Sequence, residues 1–142
     1  APTNELRDEL VPINKKYPIS ELINSCNKYL AFYNGKRSIT IEYILIDGVN
    51  DSEELAKKLA KLLSKVSCKI NLIPFNPFDG SDYKRSNNKN IEVFKRILIN
   101  KGFITTLRVT RGDAVDGACG QLVGKLAKSV KGKKLISHQL IS

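Results

Sequence analysis

The sequence predicts an α/β fold with a parallel sheet of about three strands, and three observations carry that prediction. Helical and strand-like periodicities alternate along the chain. The strand candidates are short, apolar and rich in β-branched residues, as in strands buried within a parallel sheet. The segments that follow them hold glycine, proline, asparagine and cysteine, residues suited to loops and ligand contacts rather than to a core.

Taken in order, residues 1–17 are polar and turn-rich and predict no regular element. Pro18 then opens a helix, as proline does comfortably in a first turn. Ile19, Leu22, Ile23, Cys26 and Leu30 recur at helical spacing, and Gly35 stands where a C-cap belongs. Cys26 lies on that stripe and is expected in the core. Residues 38–46 alternate and then become solidly apolar, which predicts a buried strand. Residues 47–50 make a turn, and Asp51 with Glu54 forms a capping-box pattern for a second helix. Its core face is Leu55, Leu59, Leu62, Leu63 and Val66, and Lys57, Lys58, Lys61 and Lys65 lie outside. Those lysines read as a solvated face, with nucleic-acid contact the second reading.

Residues 69–74 predict the next strand, centred on Ile70, Leu72 and Ile73. It runs into Pro74-Phe75-Asn76-Pro77-Phe78, where two prolines restrict the backbone and aim the Asn76 side chain. Asn88 is the expected cap of a third helix with Ile91, Phe94, Ile97 and Leu98 inward and Gly102 at its stop. Residues 103–109 read as the third strand. Parallel strands send their following loops to one edge, so 47–50, 74–80 and 110–121 are expected together, where α/β folds bind ligands.

The third of these loops, within 110–122, holds Cys119 among small residues, with glycines at 112, 117 and 120. A thiol in that setting suits chemistry, though an incidental surface cysteine fits the same residues. Cys68, at a strand start, reads as structural. The formal charge of the 142 residues is +10, which favours a polyanionic partner such as nucleic acid or an acidic membrane surface. Three cysteines without paired spacing argue against a disulfide-stapled secreted domain, and with one histidine, His138, the sequence offers no self-contained zinc site. No run of about 18 apolar residues exists, and no secretory pattern opens the chain. The sequence contains no methionine, so the chain is expected to be a piece of a longer protein or a processed product. The tripeptide Arg111-Gly112-Asp113 has no extracellular context to support adhesion.

Residues 67–78, the segment Tyr83-Lys84-Arg85-Ser86-Asn87-Asn88, and Thr110-Arg111-Gly112-Asp113 with Ala118-Cys119-Gly120-Gln121-Leu122 together resemble the radical S-adenosylmethionine (SAM) adenine-carbon-2 RNA methyltransferases of the RlmN type. The opening 1–17 and the segment 41–51 fit the same family, and the resemblance runs to about residue 124. It implies the C-terminal part of a radical SAM partial (β/α) barrel over residues 1–109 and a methyl-carrying cysteine loop over 110–124, while the lysine-rich residues 125–142 form a basic tail outside the resemblance. The family's C-x-x-x-C-x-x-C loop, which binds a [4Fe–4S] cluster, is absent from these residues.

By the same resemblance, Cys119 is the cysteine that takes a methyl group from SAM and forms an S-methylcysteine intermediate. Asn76 contacts SAM, and Ala1 abuts the family's SAM-binding Ser-Leu-His segment. Arg111 and Arg85 are candidates for RNA phosphate, which guanidinium forks suit. The implied partners are ribosomal RNA, transfer RNA and an electron donor, in the cytoplasm and away from membranes. The resolving cysteine and general-base carboxylate of the family lie outside this chain. Ala114 stands where the family usually has a carboxylate, and Gly117 where it has alanine. Related carbon-8 methyltransferases lack the Pro-Phe-Asn-Pro-Phe and Thr-Arg-Gly-Asp combination, so the resemblance favours carbon-2. The chain alone is expected to be inactive, and a non-catalytic basic RNA-binding module or inactive truncated homologue is the alternative. Exposed edge strands are expected to invite self-association.

Overall fold

The computed structural model describes residues 1–108. The elements are α1 (Asn4–Leu10), a 3-10 turn (Pro12–Lys15), α2 (Ile19–Phe32), β1 (Ile39–Leu45), α3 (Glu53–Leu63), β2 (Cys68–Pro74), α4 (Asn88–Asn100) and β3 (Thr105–Leu107). The strands form one parallel sheet in the order β1-β2-β3, so each helical crossover joins neighbours. The third strand is shorter than the expected 103–109. The cysteine loop and the basic tail lie outside the described residues.

The opening is not the irregular stretch that its polarity predicts. Thr3 caps α1 by accepting the Leu6 N–H at 3.4 Å, and no residue of this helix is buried. A clasp of polar side chains holds it instead. The Asn14 amide donates to Asn4 Oδ1 at 3.2 Å and Asp8 Oδ1 at 2.6 Å, and Asn4 Oδ1 also accepts the Ile19 N–H at 3.1 Å. A helix secured by amides leaves no apolar stripe for periodicity to detect.

Two caps fall one residue from their expected places. Ser52, not Asp51, is the N-cap of α3, its hydroxyl accepting the Leu55 N–H at 3.3 Å. Glu54 does not close a capping box but pairs with Lys58 at 2.7 Å, one turn along an exposed face. Asn87, not Asn88, caps α4, accepting the Asn90 N–H at 2.8 Å. In both cases the true cap stands beside a residue of similar capping chemistry, and local sequence does not separate the two. Pro18 stands just outside α2 in extended conformation rather than within its first turn. That helix ends in a left-handed pair, Asn34 and Gly35, with the Gly35 N–H bonded to the Leu30 carbonyl at 3.2 Å.

The core lies between the sheet and helices α3 and α4. Tyr43 and Leu45 of β1, Ile70 and Leu72 of β2, Ala56, Leu59, Ala60 and Leu63 of α3, and Ile91, Phe94 and Leu98 of α4 form one buried cluster. The lysines of α3 are exposed, as expected. Cys26 is half-buried rather than core. β1 is not buried on both faces: Thr40, Glu42 and Ile44 point away from the helices and are exposed, Ile44 by 44%. An alternating pattern of this kind marks a sheet covered on one side among the described residues.

Phe94 is fully buried with its ring 5.2 Å from that of Tyr43, whereas Phe32 is 80% exposed. In urea denaturation, Phe94→Ala is expected to cost about 3–5 kcal/mol, Ser52→Ala about 1 kcal/mol, and Phe32→Ala less than about 0.5 kcal/mol. Equal losses for the two phenylalanines would contradict this core.

Candidate functional site

The carboxyl edge of the sheet carries two of the residues that sequence reasoning singled out, Asn76 and Arg85. In the parallel register Leu45 stands beside Pro74, and the Phe75 N–H continues the ladder by donating to the Leu45 carbonyl at 2.8 Å. Asn76 follows directly, exposed, and flanked by Pro77. Its place is therefore fixed by the last hydrogen bond of the β1–β2 ladder and by a proline that narrows the conformations available beyond it.

The neighbouring loop after β1 is built on two buried polar residues. Asn50 Oδ1 accepts the Ile46 N–H at 2.7 Å, its amide donates to the Ile44 carbonyl at 2.8 Å, and its own carbonyl accepts from the Tyr43 hydroxyl at 2.9 Å. Asp51 accepts the Gly48 N–H at 3.0 Å and the Asn90 amide at 3.1 Å, tying this turn to the start of α4. Gly48 has φ +64°, a conformation that favours glycine. Asp51 thus acts as a buried tie where a helix cap was expected.

Arg85 reaches the same edge through backbone pairing. It forms an antiparallel bridge with Ile46, and the Asp47 N–H donates to the Lys84 carbonyl at 3.0 Å. Its side chain is exposed, and so is that of Arg108 at the end of β3. Next to Arg85, Ser86 is 2% exposed, and its hydroxyl has no hydrogen-bond partner among the described residues. Ala1 is half-buried, and among the described residues no hydrogen bond links it to the Asn76 loop. Cys119 and Arg111 lie outside the described residues.

Sequence reading missed a polar row on the uncovered face. Glu42, Asn71 and Thr106 are register partners across β1, β2 and β3, and the Thr106 hydroxyl donates to Asn71 Oδ1 at 3.0 Å. Flanking it, Thr40 pairs with Lys69 and Ile44 with Ile73. The signal was present, since Thr40 and Glu42 in one strand and Lys69 and Asn71 in the next are polar residues spaced two apart.

Asn76 at the sheet edge and the row on the uncovered face each carry hydrogen-bond donors and acceptors. An iron–sulfur cluster is not accommodated by the described residues. Among them no group of three or more Cys, His, Asp or Glu could hold a metal, and Cys68 lies at the opposite, amino end of β2. A groove of about 630 Å³ between the C-terminal halves of α3 and α4 includes Lys57, Lys61, Lys101 and Phe103 in its lining. Those segments lead into the amino ends of the strands, away from the candidate site. No helix among the described residues is long and apolar enough to cross a membrane.

Comparison with known proteins bears on these features. No family model matches the chain. It is 57% identical over 124 residues to the dual-specificity RNA methyltransferase RlmN of Marinomonas sp. (strain MWYL1), covering 87% of this chain and 33% of that protein. The protein of the same name from Psychrobacter arcticus (strain DSM 17307 / VKM B-2377 / 273-4) is 53% identical over 129 residues, covering 89% and 32%. The chain therefore spans about a third of the length of these curated relatives. A crystal structure of a radical SAM methyltransferase from Sphaerobacter thermophilus superposes with a TM-score of 0.79 at 45% identity, over 85% of this chain and 35% of that one. A domain of pyruvate-formate lyase-activating enzyme from Bacteroides vulgatus ATCC 8482 shares the fold alone, with a TM-score of 0.57 at 17% identity, over 75% and 61% of the two chains. The three-stranded sheet with its helices is accordingly part of a radical SAM partial barrel.

Burial, and then the Asp51 carboxylate, push the Tyr43 phenol well above its ordinary range. The folded state thus holds this proton more tightly than the unfolded chain. Its contribution to stability is whole below pH ~10 and declines as pH rises beyond that value. Tyr43→Phe is expected to cost about 1 kcal/mol at neutral pH through the lost bond to Asn50. It is also expected to flatten the alkaline decline, measured by denaturation between neutral pH and about pH 11. Identical alkaline slopes for the two proteins would refute this account of Tyr43.

Proposed function

We propose that this chain, which belongs to the RlmN-type family of radical SAM methyltransferases over about a third of its relatives' length, supplies part of the cofactor site and the methyl-carrying cysteine of an enzyme that methylates carbon-2 of adenine in ribosomal and transfer RNA. The observation that carries this reading is the convergence of Asn76 and Arg85 on one edge of a sheet that superposes on a radical SAM methyltransferase. SAM, when bound, supplies the methyl group and the radical chemistry that activates it.

In this reading each residue has a separate task. The Asn76 amide donates to and accepts from the cofactor's polar groups, held in place by the ladder bond of Phe75. Glu42, Asn71 and Thr106 offer further polar contacts on the uncovered face, with Asn71 oriented by the Thr106 hydroxyl. Cys119 provides the thiolate that accepts a methyl group as a thioether and presents it to the adenine. Arg85 and Arg111 meet RNA phosphates, and the target base is presented unstacked. Ala1 borders the family's cofactor segment. The family's cluster-binding C-x-x-x-C-x-x-C motif has no counterpart in these 142 residues. The chain alone is therefore proposed to be inactive, with the cluster and the route from a cytoplasmic electron donor belonging to the remainder of a complete protein.

Reconstitution of a complete protein containing this chain, under anaerobic conditions with SAM and RNA, tests the assignment. Cys119→Ala is expected to abolish carbon-2 methyladenine, measured by mass spectrometry of nucleosides. Asn76→Ala is expected to weaken SAM binding about tenfold, as for loss of hydrogen bonds to a charged ligand. Undiminished product in Cys119→Ala would sink the catalytic role. Methylation by the 142-residue chain alone would refute the proposed division of labour.

A further inference from the structure

Phe75, Phe78 and Tyr83 form an aromatic cluster beside Asn76 that the methyl-transfer chemistry leaves without a task. The Phe75 ring lies 6.1 Å from Phe78 at 55° and 6.1 Å from Tyr83 at 85°, so it meets the edge or face of Tyr83 in a T-shaped contact. Phe75 and Phe78 are half-buried and act as props, while Tyr83 is 37% exposed. The segment bearing Tyr83 is anchored on both sides. The Tyr83 N–H donates to the Ser81 hydroxyl at 3.2 Å, the Lys84 carbonyl accepts from Asp47, and Arg85 bridges Ile46. An exposed ring set on anchored backbone loses little freedom when it makes a contact.

We propose that Tyr83 is a stacking platform for an unpaired RNA base, with Lys84 and Arg85 taking the phosphates beside that base. The inference rests on the RNA-methyltransferase reading and deepens it by naming how the strand is held. Aromatic faces accept any base, and cations that follow them directly in sequence suit the flanking backbone, the combination used by single-strand binding surfaces. Lys84 and Arg85 are both exposed. Asp79 and Asp82, on the preceding turn, are exposed as well, so the local field is mixed and the ring supplies the main contact. A double helix keeps its bases stacked on one another and offers nothing to such a ring. The platform therefore selects loops and splayed strands, the form in which an adenine becomes accessible to attack.

The test uses the whole 142-residue chain and fluorescence anisotropy with two RNAs: a hairpin carrying an unpaired purine-rich loop, and the same loop sequence closed into a duplex. Tyr83→Ala is expected to weaken binding of the hairpin about tenfold or more, with duplex binding unchanged. Tyr83→Phe, which keeps the ring, is expected to bind within about twofold of the parent chain. The salt dependence distinguishes ring from charge: Tyr83→Ala keeps the parent's slope, whereas Arg85→Gln lowers it by about one phosphate contact. Saturating S-adenosylhomocysteine is expected to leave hairpin binding intact.

Unchanged hairpin affinity in Tyr83→Ala, no hairpin binding by the parent chain, or equal losses in Tyr83→Ala and Tyr83→Phe each overturn the proposal. Displacement of the RNA by S-adenosylhomocysteine would assign the ring to the cofactor and also overturn it. A drop in melting temperature for Tyr83→Ala that accounts for its lost binding would make the ring a packing residue and overturn the proposal too. The catalytic reading is measured by nucleoside product in a complete protein, and the platform by hairpin affinity of this chain. Failure of the platform and failure of the catalytic reading are thus separate results.

Discussion

The buried side-chain amide of Asn50 is the constraint on which the carboxyl edge of the sheet depends. Where β1 ends, its backbone groups run out of ladder partners, and unpaired polar groups in a protein interior are costly. Asn50 supplies both replacements, accepting from Ile46 and donating to Ile44, and its own carbonyl is held by Tyr43. With the strand end closed in this way, Ile46 can pair with Arg85 and Leu45 can accept from Phe75. The loops bearing Asn76, Tyr83 and Arg85 all hang from that closure. One amide on the interior side thus closes the strand end on which two exposed stretches of chain, one bearing Asn76 and one bearing Tyr83 and Arg85, are anchored.

Much of this architecture is legible in the sequence, and the exceptions have physical reasons. Helices with apolar stripes and strands of β-branched residues announce themselves through burial, so α3, α4, β1 and β2 lie close to their expected ranges. Helix α1 is secured by Asn4, Asp8 and Asn14, and hydrogen bonds between side chains leave no periodic trace. The caps of α3 and α4 differ by one residue from expectation because Asp51 and Ser52, like Asn87 and Asn88, offer similar oxygen acceptors. Only the three-dimensional demand for Asp51 at Gly48 and Asn90 removes it from the capping role.

The candidate site divides along the same line. Asn76 could be singled out because flanking prolines are a covalent restriction visible in the sequence. Its sharing of an edge with Arg85 could not, since that depends on an antiparallel bridge between residues 39 positions apart, Ile46 and Arg85. The row Glu42, Asn71 and Thr106 becomes a unit only once the register sets the strands side by side. Cys119 and Arg111 rest on the family resemblance, and the described residues end before them.

The one-sided covering of the sheet has a thermodynamic consequence. Its helix-facing side is sealed by a contiguous apolar core, while Thr40, Glu42 and Ile44 stand exposed on the other. Folding therefore completes one surface of the sheet and leaves the second as an adjustable variable. Whatever settles on that second surface in the folded state alone adds to stability by mass action, according to its concentration, without altering a single core contact. The melting temperature of the chain then becomes a gauge of how fully its open face is occupied.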